Sequence, residues 1–192
     1  FENRGGVGNS NPHPHGQIWA VETIPDVIRK EIYNKEKYLK DNNSCLICDI
    51  AKYEKEVKDL VVFENNSFIT IVPFWTVWPF ETLSIPKRHI GCLSDIDDNE
   101  KKDLAMLLKR LIKMYDSLFD VVMPLSYGFH IKPKTLGNNI YHMHLHFYPT
   151  LLRSATVKKH MAGFEMLAAP QRDITPEFAA LTLRNLLINT NI

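Results

Sequence analysis

The sequence predicts an α+β fold, antiparallel strands with helices on one face. Between residues 60 and 85, short apolar segments alternate with turn residues at hairpin spacing. From residue 99 to 119, apolar side chains recur at the spacing of one long amphipathic helix. A strictly alternating stretch, Tyr141 to Tyr148, supplies a late strand.

Phe1 to Pro12 reads as loop, because Gly5, Gly6 and Gly8 let the backbone turn and approach a ligand closely. Gln17 to Val21 reads as a short strand. Pro25 to Lys40 is rich in charge and poor in apolar residues, so it reads as an exposed, bridging helix that starts after Pro25, a residue suited to a first turn. Asp41-Asn-Asn-Ser44 is turn chemistry and marks the start of the compact unit. Strands follow over Leu60–Glu64, over Ser67–Val72 after the Asn65-Asn66 turn, and over Glu81–Ile85. Asp97 with Glu100 three residues on forms a capping box, so the helix over Asn99–Phe119 starts there, its apolar face carrying Leu104, Leu107, Leu111 and Tyr115. Strands at Leu125–Ile131 and Tyr141–Tyr148 and a last helix at Pro176–Leu187 complete the order.

Composition excludes several classes of function. With 45% hydrophobic and 23% charged residues the chain reads as soluble and globular. Twenty-three basic against 22 acidic residues give a net charge of +1, too weak a field for a nucleic acid polymer but compatible with a small phosphorylated ligand. No apolar run reaches the roughly 18 residues that span a bilayer and no signal pattern opens the chain, so no membrane partner is expected and the cytoplasm is the expected compartment. Three cysteines make no even disulfide set, and the Cys45-Leu-Ile-Cys48 spacing suits a metal knuckle or a redox pair, of which the metal is favoured. Phe1 is no initiator methionine and the chain opens directly on glycines and a chemical motif, which reads as a fragment.

Histidines carry the chemistry. In Tyr141-His-Met-His-Leu-His-Phe147 the alternation sends His142, His144 and His146 to one face of a strand and Met143, Leu145 and Phe147 into the core. Such a comb is costly unless it binds something; a merely solvated polar face is the plainer reading. In His13-Pro-His15 the proline fixes φ and holds the two imidazoles in a set relation. One imidazole of such a pair can ligate a metal while the other, held unprotonated by a hydrogen bond to its second nitrogen, attacks phosphorus.

Phe1-Glu-Asn-Arg-Gly5, Ser10-Asn-Pro-His-Pro-His-Gly-Gln-Ile-Trp19, Trp78-Pro-Phe-Glu-Thr-Leu83, His144-Leu-His-Phe-Tyr-Pro149 and Leu151-Leu-Arg-Ser-Ala-Thr-Val157 resemble the galactose-1-phosphate uridylyltransferase family. The resemblance runs in order along nearly the whole chain and implies a histidine-triad-like antiparallel sheet, a half-barrel flanked by helices. It implies that residues 1–40 are an active-site strand and bridging helix belonging to the N-terminal half, and that 41–192 are the C-terminal histidine-triad-like domain. It further implies a homodimer that moves UMP between UDP-glucose and galactose 1-phosphate by a ping-pong route through a uridylyl-histidine. By position His15 matches the nucleophile and His13 a ligand of structural zinc. Ser10 and Gln17 match phosphoryl contacts, and Asn3 a uridine contact. Glu31, His130, His144 and His146 match the ligands of a second metal, iron or zinc. Lys159, His160, Phe164, Glu165 and Gln171 match the hexose-phosphate end, although the family commonly has phenylalanine at His160 and tyrosine at Phe164. Because the family's two halves are related copies, Cys45, Cys48, His89 and His142 would match a further Cys₂His₂ zinc site in this half. Two rival readings are a histidine-triad nucleotide hydrolase or phosphorylase with His144 as nucleophile, and a noncatalytic metal-binding module.

Overall fold

The structure, a computed structural model, describes residues 2–4, 13, 15–137 and 139–189. Its strands are β1 (Glu2–Arg4), β2 (His15–Gly16), β3 (Val61–Glu64), β4 (Phe68–Ile71), β5 (Thr82–Pro86), β6 (Leu125–His130) and β7 (His144–Pro149), with a hairpin of β8 (Leu151–Ser154) and β9 (Val157–Lys158). The helices are α1 (Asp26–Asn42), α2 (Leu46–Val57), α3 (Asp98–Leu118), α4 (Phe164–Leu167) and α5 (Pro176–Asn189). The first seven strands form one sheet in the order β2-β1-β6-β7-β5-β4-β3, antiparallel at every pairing.

Both faces of the sheet are covered, which corrects the expectation of helices on one face. On one side Met143, Leu145 and Phe147 pack with Leu107, Leu111 and Met114 of α3 and with Ala180 and Leu183 of α5. On the other, Ile69, Ile71, Leu83 and Ile85 pack against Ile47 of α2. Every residue of β5 is buried, the mark of a central strand between two helical layers. Among the described residues no helix is long and apolar enough to cross a membrane.

Helix α2 went unread in the sequence because its first turn is the cysteine pair. An i,i+3 spacing that suits a metal knuckle also suits a helix start, and here Cys45 is the N-cap and Cys48 lies in the first turn. Helix α1 ends where Asn43 turns left-handed at φ 52° and its N–H caps the Leu39 carbonyl at 2.8 Å. At α3 the expected capping box is present: the Asp97 carboxylate accepts from the N–H groups of Asn99 and Glu100, and Glu100 accepts from the Asp97 N–H. The strand expected at Gln17–Val21 is not one. Pairing stops at Gly16, and Ile18, Trp19 and Val21 are exposed. Strand β7 starts at His144 rather than Tyr141, since the Met143 N–H donates to Ile90 O at 2.8 Å and leaves the ladder.

Candidate active site and metal centres

Strand β2 carries His15 into the sheet edge, where it pairs with Asn3, itself paired to Ser126 of β6. Nδ1 of His15 lies 3.0 Å from the carbonyl oxygen of His13. A carbonyl only accepts, so Nδ1 holds the hydrogen and Nε2 keeps the lone pair, the tautomer that a nucleophilic imidazole needs. Ser10, Pro14 and the side chain of Asn3 lie outside the described residues. Gln17 is exposed and its Oε1 accepts from the Trp19 indole at 2.8 Å.

The second group forms where α1 crosses β6 and β7. His130 and His144 are register partners on adjacent strands and His146 follows two residues on, so all three rings share one face. Glu31, expected on an exposed helix, instead reaches under them. Its Oε1 is 2.7 Å from His130 Nδ1, and its Oε2 accepts from Lys35 Nζ at 2.8 Å and Tyr141 OH at 2.9 Å. Burial alone would raise the Glu31 carboxyl, but the hydrogen bond from His130 and the charge of Lys35 outweigh it and hold it below the usual carboxylate range. Candidate donor atoms of Glu31, His130, His144 and His146 all lie within 4.8 Å of one another.

Burial pushes the His144 imidazole down to about 4 despite the neighbouring Glu31, so the ring is neutral at neutral pH. Its Nδ1 is 2.9 Å from the His142 carbonyl and therefore carries the hydrogen, which leaves the Nε2 lone pair facing Glu31 Oε2 at 3.2 Å. Two lone pairs at that distance repel, and a cation between them turns the arrangement favourable. His146 Nε2 is buried without a hydrogen-bond partner among the described residues. Three imidazoles and one carboxylate, with an orphaned nitrogen, fit the iron or zinc that the resemblance implies.

The third group corrects the picture of one histidine comb. His142 leaves the face shared by His144 and His146 and turns to the start of α2, where Cys48 Sγ lies 3.2 Å from both His142 Nδ1 and His89 Nδ1. Cys45, Cys48, His89 and His142 offer donor atoms all within 4.8 Å of one another, and the cysteines are free thiols. A hydrogen bond from Cys48, with His142 assisting, pulls the Cys45 thiol well down, while the same bond pushes Cys48 up. A thiolate at Cys45 is the metal-ligating form of the side chain.

The residues matched to the hexose-phosphate end divide. Lys159 is buried and ion-pairs with Glu165 at 2.7 Å and with Asp173 at 2.6 Å, whereas His160, Phe164 and Gln171 stand exposed on the same segment. Arg172 ties that segment to the aromatic turn by donating to the carbonyls of Phe74 and Thr76 at 2.8 and 2.9 Å.

Sequence reasoning missed the supports of the Glu31 group. Lys35 sits one helical turn beyond Glu31 and lies over the Tyr141 ring at 3.7 Å; the i,i+4 Glu–Lys spacing was its available signal. Tyr148 stacks on His146 at 7° between ring planes, and Glu81 approaches His146 Nδ1 at 3.5 Å. A cavity of about 540 Å³ opens beside the group, between α1, α2 and the Phe74-Trp75 turn.

Comparison with known proteins shows the family. The family described as galactose-1-phosphate uridyl transferase, C-terminal domain, matches residues 31–190, and its N-terminal domain matches residues 1–25. The galactose-1-phosphate uridylyltransferase of Schizosaccharomyces pombe is 50% identical over 192 residues, covering 97% of this chain and 52% of the relative. That of Haemophilus influenzae is 47% identical over 188 residues, covering 97% and 54%. The chain thus spans about half the length of the curated relatives it matches. A solved uridylyltransferase superposes with a TM-score of 0.89 at 32% identity, over 98% of this chain and 59% of that one. A zinc-bound histidine triad family protein from Mycobacterium smegmatis shares the fold, with a TM-score of 0.53 at 19% identity over 77% of this chain and 96% of that one. The chain belongs to the galactose-1-phosphate uridyl transferase family, whose C-terminal domain makes up most of it.

Proposed function

We propose that the whole protein moves UMP between UDP-glucose and galactose 1-phosphate by a ping-pong route through His15. The observation that supports this best is the hydrogen bond from His15 Nδ1 to the His13 carbonyl, which leaves Nε2 as the attacking nitrogen. Nε2 attacks the α-phosphorus of UDP-glucose, a P–N bond forms, and the P–O bond to glucose 1-phosphate breaks with its electron pair leaving on that product. A phosphate oxygen of galactose 1-phosphate then attacks the same phosphorus. The P–N bond breaks, its electron pair returns to Nε2, and UDP-galactose departs. Nδ1 keeps its hydrogen throughout. The uridylylated ring is therefore cationic, the His13 carbonyl stabilises that charge, and the imidazole remains a good leaving group.

Phosphoryl transfer needs positioned donors more than acid–base chemistry. Ser10 and Gln17 are the candidate donors to the phosphoryl oxygens and Asn3 to the uridine. Lys159, His160, Phe164, Glu165 and Gln171 would meet the hexose phosphate, in a homodimer in which one copy completes the site of the other. His13 would anchor the nucleophile's neighbour to zinc held with residues outside this chain. Iron or zinc on Glu31, His130, His144 and His146 would cross-link α1 to β6 and β7. The rival nucleophile, His144, is disfavoured because it is 3% exposed and its Nε2 is directed at Glu31.

Intact-mass measurement of the full-length protein with UDP-glucose tests the reading. The expected result is a gain of one UMP, reversed by galactose 1-phosphate and absent in His15→Ala. A label that persists in His15→Ala and disappears in His144→Ala overturns it in favour of the histidine-triad reading.

A further inference from the structure

Two pairs of histidines in this chain, far apart in sequence, are built alike. In the first, His15 Nδ1 meets the carbonyl of His13 at 3.0 Å; in the second, His144 Nδ1 meets the carbonyl of His142 at 2.9 Å. In each, the residue two places upstream holds the tautomer of the later imidazole through its backbone, and at His142 this leaves the side chain to do something else. The side chain of His142 is 1% exposed and goes to Cys48, in company with Cys45 and His89.

From this we infer that Cys45, Cys48, His89 and His142 hold a zinc ion that positions His144 and so couples to the Glu31 centre. The donors suit zinc: two sulfurs and two ring nitrogens, in a Cys₂His₂ set drawn from the start of α2, the loop after β5 and the approach to β7. Tetrahedral zinc, with Zn–S near 2.3 Å and Zn–N near 2.0–2.1 Å, requires a sulfur-to-nitrogen edge of about 3.5 Å. The two Cys48 contacts, each 3.2 Å, are within a few tenths of an ångström of that edge. Anchoring the His142 ring to zinc restrains that residue's backbone, and its carbonyl holds the Nδ1–H of His144. Zinc on His142 therefore steadies the carbonyl that sets which nitrogen of His144 faces Glu31 at 3.2 Å. His142 is here a positioning residue for the second centre, in the manner of an outer-shell partner that sets ligand tautomer and orientation. The inference stands on this half of the chain alone and is independent of uridylyl transfer.

Metal content and cobalt(II) titration of the full-length protein test both parts. Cobalt in a thiolate site gives an intense sulfur-to-metal charge-transfer band, and cobalt on oxygen and nitrogen donors does not, so the two centres are read separately. In Cys45→Ser/Cys48→Ser the protein is expected to lose one equivalent of zinc and the charge-transfer contribution of this site. Cobalt affinity at the Glu31 centre is expected to fall about 10- to 100-fold, the usual effect of removing an outer-shell support. Unchanged zinc content overturns the site. Loss of zinc with unchanged affinity at the Glu31 centre overturns the coupling. Because the double variant can fail to fold, His89→Gln, on the loop after β5, carries the same two readouts, and wild-type zinc retention in it overturns the proposal whatever the double variant does.

Discussion

At the scale of single residues, the chain's chemistry is controlled by which nitrogen of each imidazole carries a hydrogen. Backbone carbonyls make that choice at His15 and His144, so neither depends on a mobile side-chain partner. Glu31 is held differently, by side chains: Lys35 and Tyr141 both donate to its Oε2. Removing the hydroxyl in Tyr141→Phe leaves packing almost unchanged but takes away one of those donors. The expected outcome is an affinity for metal at the Glu31 centre about 10-fold weaker, measured by competition with a chelator. Equal affinity would show that Lys35 alone suffices to orient the carboxylate. The i,i+2 spacing of the histidines was legible in the sequence, but tautomers were not, because they follow from what each ring touches.

At the scale of elements, α3 shows how much a short signal can specify. Asp97 and Glu100 close the helix start reciprocally, and Glu100 is also gripped by Arg88 at 2.6 and 2.8 Å. Asp97→Ala should cost about 1 kcal/mol in denaturant unfolding, the ordinary value of a lost cap. The pair with Arg88 lowers the Glu100 carboxyl below its ordinary 4.5. A depressed folded value stabilises above the unfolded value and is lost as pH falls through the folded one. The stability difference between the wild type and Glu100→Gln should therefore be fully present at neutral pH and shrink once the pH drops below about 4.5; a difference that stays constant as the pH is taken well below that value would contradict the Arg88 contact. Helix α1 illustrates the opposite case. Its charged composition reads as exposed, yet Ile32 and Lys35 are buried, because the aliphatic stem of a lysine can lie on a ring and its charge can be matched by a carboxylate one turn away.

At the scale of the whole molecule, one sheet separates two kinds of work. Its α3 and α5 face is apolar, and there Leu107→Ala should destabilise by roughly 2–5 kcal/mol in equilibrium unfolding, since the side chain is fully buried among Leu111, Phe147 and Leu183. Its other face joins α2 through the smaller apolar cluster around Ile47 and also carries the polar groups under α1 and α2, where bound metal would cross-link the layers. Stripping metal with a chelator should lower the unfolding midpoint reversibly, with zinc restoring it by mass action; an unmoved midpoint would mean that neither centre contributes to folding. Local pattern by itself determined the strands between residues 60 and 85, the capped helix α3, the inward Met143, Leu145 and Phe147, and the close spacing of the histidines, because periodicity, capping and residue type are written within a few neighbouring positions. Tertiary structure decided that helices cover both faces, and it brings together what the family resemblance implied but no local pattern showed: His142 parts from His144 and His146, and Glu31 lies among histidines about a hundred positions away. Those outcomes depend on which surfaces meet when the sheet closes, and such long-range contacts leave no trace in the spacing of the residues that make them.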